Sequence, residues 1–170
     1  MMTERTGIVT LLGNAVTLAG NAVKAGDDAP DFTALKNDLS PFSLCSLKGK
    51  TVILLTVPSL DTPVCDTEIR RFNQEAGQLS DVEVVVVSVD LPFAQARWCG
   101  ATGADHVLTV SDHAETAAGL AYGVLIKEAR LLARAAFVIS PAGKIVFERI
   151  VPEVAEEPDY AAVLTAVKAC

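Results

Sequence analysis

The sequence predicts an α/β fold in which helices flank a mixed central β-sheet, with a β-hairpin at the N-terminus. Residues 51–57 and 82–89 are apolar, β-branched runs typical of buried strands. Helical periodicity follows each run, and this alternation is typical of parallel strands covered by helices. Residues 135–139 and 144–150 flank the turn sequence Ser-Pro-Ala-Gly, which predicts an antiparallel hairpin in the same sheet.

The N-terminal residues predict a hairpin of their own. Two short β-prone runs, 8–12 and 15–19, lie on either side of Gly13-Asn14, and we expect a tight turn at this pair. The chain has 170 residues, which is enough to bury a sizeable core as one unit. We therefore expect a single domain over 1–170, with 1–20 as a hairpin extension.

The remaining elements follow from turn residues and apolar spacing. We expect edge strands at 33–35 and 41–44, a helix from near Pro63, a helix at 93–100, a strand at 106–110, a helix from Ser111-Asp112 through about Tyr122, and a terminal helix from Pro158. A strand, a loop and a helix that begins with cysteine, in this order of elements, form the thioredoxin-like arrangement.

Composition excludes several classes of function. The net charge is −7 and no Lys/Arg cluster offsets it, which argues against nucleic-acid binding. We see no signal peptide and no apolar run long enough to cross a membrane, so we expect a cytoplasmic protein. Four cysteines in that compartment are mostly reduced, so a pair that oxidises would be catalytic or sensory. Without Cys-x-x-Cys and with only two histidines, we expect no metal site.

The most informative stretch is Pro58-Ser-Leu-Asp-Thr-Pro-Val-Cys65, between a strand and a helix. Thr62 is the predicted N-cap and Pro63 fits the first helical position, so Cys65 lies in the first turn. Unpaired N–H groups and the helix dipole favour a negative sulfur there, and the thiolate is the reactive form of cysteine. By position alone, Cys65 could also be an inert small hydrophobic residue on an apolar helix face.

A peroxide is a substrate that this turn could reduce. The Cys65 sulfur would attack the terminal oxygen, expelling water or alcohol and leaving a sulfenic acid. Backbone N–H groups and the Thr62 hydroxyl could donate to the peroxide oxygens, although a hydroxyl that caps the helix is less free to do so. Pro58 could form a wall of the pocket without adding a competing N–H.

A thiolate at this position needs a cation nearby. Asp66 and Glu68 lie close in sequence and disfavour a negative sulfur. Arg70 and Arg71 are the local candidates, but both lie a turn or more further along the helix. The residues near Cys65 therefore leave the source of positive charge open.

The stretch Pro58-Ser-Leu-Asp-Thr-Pro-Val-Cys65 resembles the peroxidatic motif of peroxiredoxins. The stretch Ser-Val-Asp90-Leu-Pro-Phe-Ala-Gln-Ala-Arg-Trp-Cys99-Gly is similar to the resolving-cysteine helix of the atypical two-cysteine branch, the bacterial thiol peroxidases. Further matches are Gly119-Leu-Ala-Tyr-Gly-Val124, Leu132-Ala-Arg-Ala135 and Glu157-Pro-Asp-Tyr160. The resemblance covers essentially the whole chain.

The resemblance implies a role for each matching residue. Cys65 is the peroxidatic nucleophile, and Thr62 and Pro58 complete its pocket. Arg134 matches the active-site arginine and supplies the missing cation. Cys99 is the resolving cysteine, which attacks the Cys65 sulfenic acid within the same chain. The implied activity is reduction of hydrogen peroxide and organic hydroperoxides, with thioredoxin as the reductant, no metal or prosthetic cofactor, and a homodimer as the typical assembly.

Two other functions use the same cysteine pair. A disulfide-exchange protein is disfavoured because Cys65 has no cysteine two residues on, whereas a redox sensor would oxidise once instead of turning over. A disulfide also requires Cα atoms within about 7 Å. Cys65 and Cys99 cannot both be optimally placed for peroxide attack and for a disulfide, so we expect local unfolding around 60–67 and 92–100 on oxidation. We assign no role to Cys45 or Cys170.

Overall fold

The structure is a computed structural model that describes residues 2–170. In chain order its elements are β1 (Glu4–Leu11), β2 (Asn14–Ala19), β3 (Thr33–Leu35), β4 (Pro41–Ser43), a 3₁₀ turn (Leu44–Leu47), β5 (Thr51–Thr56), α1 (Pro63–Ala76), β6 (Val82–Ser88), α2 (Pro92–Thr102), β7 (Val107–Ser111), α3 (Ala117–Ala121), β8 (Leu125–Ile126), β9 (Leu131–Leu132), β10 (Ala135–Ile139), β11 (Ile145–Ile150) and α4 (Tyr160–Lys168).

A seven-stranded mixed sheet forms the middle of the fold, in the order β11-β10-β5-β6-β7-β3-β4. Strands β5, β6 and β7 are parallel, while β10 pairs antiparallel with both β5 and β11. Every residue of β5 is buried, as expected for a central strand covered on both faces. The predicted mixed α/β fold is confirmed.

The two faces of the sheet bury different sets of side chains. Alternate residues Ile53 and Leu55 of β5 pack with apolar residues of α1, α2 and α4. Val52 and Leu54 pack on the opposite face, with residues of α3 and of a second sheet in the order β1-β2-β8-β9. The N-terminal hairpin therefore belongs to the layer opposite α1.

The predicted N-terminal hairpin is present, but its turn lies one residue earlier than expected. Leu11 pairs with Asn14, so the loop residues are Leu12 and Gly13, with φ of 51° and 80°. Positive φ at both positions is typical of a type I′ turn, although leucine rarely adopts it. The Glu153 carboxylate accepts both loop N–H groups and holds this conformation. This distant contact explains the shift.

The predicted start of α3 also differs from the structure. The helix expected from Ser111-Asp112 starts only at Ala117. Asp112 nevertheless accepts hydrogen bonds from the N–H groups of Ala118 and Gly119 and so stabilises the beginning of α3. Strands β8 and β9 were not predicted, because two-residue strands show no periodicity. Within residues 2–170, none of the helices combines the length and the apolar character needed to cross a membrane.

Candidate active site

Cys65 lies in the first turn of α1, directly after the loop that follows β5. Thr62 has extended backbone angles and occupies the N-cap position, and Pro63 begins the helix, as predicted. The first bond of the helical ladder runs from the Asp66 N–H to the Thr62 carbonyl, at 3.0 Å. The N–H groups of Val64 and Cys65 therefore lie ahead of the ladder, where they can donate to an anion.

Arg134 lies beside the Cys65 sulfur and provides the cation. It precedes β10 and is 1 % exposed, while Cys65 is fully buried. One terminal nitrogen donates to Cys65 Sγ at 3.2 Å, the other donates to Glu68, and Nε donates to the Val154 carbonyl at 2.9 Å. These three bonds fix the plane of the guanidinium and aim it at the sulfur.

The two arginines of α1 that are close to Cys65 in sequence have other partners. Arg70 pairs with Asp66, with 2.8 Å between Nε and the carboxylate oxygen. The Arg71 guanidinium carbon lies 4.0 Å from the centre of the Tyr160 ring, as a cation–π contact. Folding therefore brings the positive charge from a distant position in the chain.

Glu68 is an active-site residue that sequence reasoning missed, because it was considered only as an unfavourable charge. Its carboxyl is fully buried, and Oε1 accepts no hydrogen bond from the described residues. Burial raises the pKa of Glu68 to about 7, against the lowering effect of Arg134. Near neutral pH a fraction of the Glu68 carboxyl groups is therefore protonated and does not neutralise Arg134. Part of the Arg134 charge thus stays available to Cys65. The available signal was its place on the buried stripe, three residues after Cys65.

Arg134 keeps its proton in these surroundings. Burial lowers the pKa of Arg134, but the Glu68 carboxylate and the Cys65 sulfur raise it by more, so the net shift is upward from its usual value. The site therefore contains a permanent cation within hydrogen-bond distance of a buried sulfur. This arrangement stabilises a thiolate.

Thr62 and Pro58 lie in the loop between β5 and α1, but the Thr62 hydroxyl does not cap the helix as expected. It donates instead to the Ser59 carbonyl, at 3.0 Å. Its proton is thus engaged, and its lone pairs can accept the O–H of a hydroperoxide. Pro58 is buried two residues after β5 and has no N–H to donate.

Asp90 holds the loop before Cys65 in place. Its carboxylate accepts from Ser59 Oγ at 2.7 Å, from the Leu60 N–H at 2.8 Å and from Ser88 Oγ at 2.7 Å. It follows β6 and precedes α2, so it links the loop before Cys65 to the helix that contains Cys99. Sequence reasoning gave this carboxylate no role.

Cys99 is half-buried in α2, in surroundings different from those of Cys65. Its sulfur lies 3.4 Å from Thr109 Oγ1 and 3.8 Å from Asn37 Nδ2. Trp98, its neighbour, donates to Asp66 in the first turn of α1, at 2.9 Å. All four cysteines are free thiols in the structure.

The other two cysteines are exposed, at positions separate from Arg134. Cys45 Sγ lies 3.0 Å from Ser43 Oγ, and the Cys45 N–H donates to Asp31. Cys170 is the last residue and contacts the Ala166 carbonyl. In the chain from residue 2 onward, no three or more His, Cys, Asp or Glu side chains are grouped so as to hold a metal ion.

Comparisons with known proteins show which family the chain belongs to. A family model described as Redoxin matches residues 24–164. The chain is 53 % identical to the thiol peroxidase of Bacillus subtilis (strain 168) over 161 residues, which cover 95 % of this chain and 96 % of that protein. It is 48 % identical to the thiol peroxidase of Listeria monocytogenes serotype 4b (strain F2365) over 160 residues, covering 94 % and 97 %.

Solved structures also match over nearly the full length. A peroxiredoxin-like protein from Aquifex aeolicus has a TM-score of 0.90 and 42 % identity, covering 99 % of this chain and 98 % of that one. A thiol peroxidase from Chromobacterium violaceum has a TM-score of 0.86, with 95 % of each chain covered. At 17 % identity, the second comparison shows the fold alone.

Proposed function

Because this chain belongs to the redoxin family, and its thiol peroxidase relatives show it to be a thiol-dependent peroxidase, we propose that Cys65 is the residue that reduces the peroxide. The main support is the 3.2 Å contact between the Arg134 guanidinium and Cys65 Sγ in a buried site. Arg134 stabilises the thiolate before the reaction. Afterwards it can donate to the oxygen on which negative charge develops.

The first chemical step forms a sulfur–oxygen bond. The Cys65 thiolate attacks the terminal oxygen of the hydroperoxide, the O–O bond breaks, and the sulfur loses two electrons to become a sulfenic acid. The other oxygen takes up a proton and leaves as alcohol, or as water when the substrate is hydrogen peroxide. The N–H groups of Val64 and Cys65, with Arg134, are the donors for the peroxide oxygens, and Thr62 accepts its O–H.

The second step consumes the sulfenic acid, with Cys99 as the resolving cysteine. The Cys99 thiol attacks the Cys65 sulfenic sulfur, which releases water and leaves an intrachain disulfide. A dithiol then reduces this disulfide and becomes oxidised itself. Cysteine redox chemistry thus completes the cycle, and we propose that it needs no metal or prosthetic group.

The test of these assignments is chemical trapping. In Cys99→Ser treated with one equivalent of peroxide, a sulfenic-acid reagent should label Cys65 alone. In the wild type, peptide mapping by mass spectrometry should find a Cys65–Cys99 disulfide. Cys45→Ser and Cys170→Ser serve as matched controls and should form the same disulfide. A label or a disulfide that involves Cys45 or Cys170 instead would contradict the assignment.

Disulfide formation requires the two sulfurs to leave their present partners. Cys65 contacts Arg134, Cys99 contacts Asn37 and Thr109, and a tryptophan–aspartate bond ties the two helices together. We expect residues 60–67 and 92–100 to lose hydrogen-exchange protection when the wild type is oxidised to the disulfide. The same treatment of Cys99→Ser, which cannot form the disulfide, should leave 92–100 protected. Equal exchange in reduced and disulfide forms would rule out the opening.

The thiol reductant is proposed to be thioredoxin, because an intrachain disulfide is reduced by a dithiol donor. That donor is kept reduced in the cytoplasm, which supports a cytoplasmic location.

A homodimer is supported by Leu91 and Phe93, which are 52 % and 66 % exposed beside Asp90 and offer an apolar surface to a second copy. We also propose that 1–170 acts as a single domain, since the hairpin packs into the core. The enzymatic relatives favour turnover over a role as a redox sensor.

A further inference from the structure

The N-terminal hairpin contacts residues 152–155, which hold Arg134, through the Glu153 carboxylate and two backbone hydrogen bonds. We propose that Glu153 is a positioning residue for Arg134, so that the hairpin supports the active site as well as the core. The inference rests on the roles proposed above for Arg134 and Cys65. Glu153 itself does not touch the sulfur, and it acts through the backbone of the segment 152–155.

Both oxygens of Glu153 are fully engaged. Oε1 accepts the N–H groups of Leu12 and Ala155, each at 3.0 Å. Oε2 accepts Thr10 Oγ1 at 2.7 Å and the Gly13 N–H at 3.0 Å. These bonds, led by the one from Thr10, lower the pKa of Glu153 to about 2, so the carboxylate is charged at any physiological pH. The Glu153 carboxylate thus accepts hydrogen bonds from four donors and connects β1 and the turn after it to residues 152–155.

The backbone continues this link towards the active site. The Thr10 N–H donates to the Pro152 carbonyl at 2.8 Å, and the Val154 N–H donates to the Thr10 carbonyl at 2.9 Å. Val154 is therefore held on its N–H side by β1. Its own carbonyl accepts Arg134 Nε at 2.9 Å. Together with the bond to Glu68, the direction of this carbonyl sets the plane of the guanidinium and the position of the nitrogen that faces Cys65.

The four hydrogen bonds that Glu153 accepts form a clamp between the hairpin and residues 152–155. The conformation of the Leu12–Gly13 turn depends on this clamp. Leu12 has a φ of 51°, which an L-residue adopts at a cost. Two of the four bonds to Glu153 come from this turn, and they hold it over 152–155. In Glu153→Gln, an amide nitrogen replaces one of the oxygens. Each oxygen of Glu153 accepts two hydrogen bonds. The NH2 group of glutamine can only donate, so the two hydrogen bonds accepted at its position are lost and the clamp loosens.

The experiment separates the two steps of the cycle. Trp98, the only tryptophan, donates to Asp66 in the first turn of α1, so we expect its fluorescence to change on oxidation. In stopped-flow measurements, Glu153→Gln should slow the bimolecular reaction of Cys65 with peroxide about tenfold, because a 1 Å misplacement costs about a hundredfold and the displacement expected here is smaller. Formation of the disulfide, which does not need Arg134 in place, should stay within about twofold of wild type.

Matched variants distinguish positioning from general loss of stability. Glu156→Gln makes the same charge change one residue beyond this segment, at an exposed side chain, and should react like the wild type. Ile145→Val weakens the core of β11 away from the sulfur and should leave both rates unchanged. Thr10→Val removes one of the four donors and keeps the charge, so it should slow the peroxide step by a smaller factor.

Three outcomes would overturn the inference: wild-type rates of peroxide reaction in Glu153→Gln, equal slowing of both steps in that variant, or slowing of the peroxide step in Ile145→Val. A failure of the proposed function looks different. In that case the wild type itself would show no peroxide-dependent oxidation of Cys65, whatever residue occupies position 153.

Discussion

Cys65→Ser should abolish steady-state consumption of peroxide, with an expected loss of more than about a thousandfold, because the enzyme loses its nucleophile. A serine hydroxyl stays protonated beside Arg134 at neutral pH and has no oxidation product equivalent to a sulfenic acid. The measurement is peroxide-dependent oxidation of reduced thioredoxin at equal protein concentrations. Replacing one buried sulfur with oxygen should leave the fold intact, and circular dichroism is the check.

The control for this variant is Cys99→Ser. It keeps Cys65 and Arg134, so it should consume one equivalent of peroxide at the wild-type rate and then stop. Sustained turnover by Cys65→Ser would refute the assignment of the nucleophile. Sustained turnover by Cys99→Ser, with thioredoxin as the reductant, would show that resolution does not need Cys99.

The turn before α1 could be predicted because its signals are local. Pro63 presets the first helical residue, threonine is a preferred residue type at the N-cap, and the buried stripe begins at Cys65. None of these signals depends on the rest of the fold. What could not be predicted was the bond that the Thr62 hydroxyl makes, because its partner, the Ser59 carbonyl, is positioned only once the loop has folded.

The surroundings of the sulfur were predicted only in part. The need for a cation followed from the neighbouring carboxylates, but the residues near Cys65 did not say which arginine supplies it. The resemblance to peroxiredoxins indicated Arg134, and the structure places it 3.2 Å from the sulfur. The partners Glu68 and Val154 become apparent only when α1, β10 and the segment before α4 pack together.

The turn of the N-terminal hairpin illustrates the same limit. Gly-Asn is a common turn sequence, and local chemistry favours Gly13-Asn14 as the loop. The carboxylate of Glu153 outweighs this preference because it satisfies the N–H groups of Leu12 and Gly13 together. Pattern reasoning sees only neighbours in sequence, so a single distant side chain can move a turn by one residue.

Arg134→Met should slow the reaction of Cys65 with peroxide by about 10² to 10³, the usual effect of removing one donor to a developing charge. Methionine fills much of the space but provides neither the charge nor the three N–H donors. The measurement is the bimolecular rate in stopped flow, with Trp98 fluorescence as the signal. Arg130→Met, at an exposed arginine four residues earlier, should keep the wild-type rate.

The same substitution removes the partner of a buried carboxyl, which typically costs about 3–5 kcal/mol. Glu68 is fully buried, and its Oε2 accepts from Arg134. Without the arginine, Glu68 is expected to take up a proton, so the loss of stability in urea unfolding should be larger at pH 8 than at pH 5. Slow catalysis by Arg134→Met could therefore come from partial unfolding or from the missing donor.

The double variant Arg134→Met/Glu68→Gln distinguishes these causes. Glutamine removes the buried charge, so most of the lost stability should return and its dependence on pH should flatten. The peroxide step should stay slow, because the thiolate still lacks its cation and the peroxide oxygens still lack a donor. Recovery of the rate together with the stability would contradict a direct role for Arg134 and reduce it to a structural partner of Glu68.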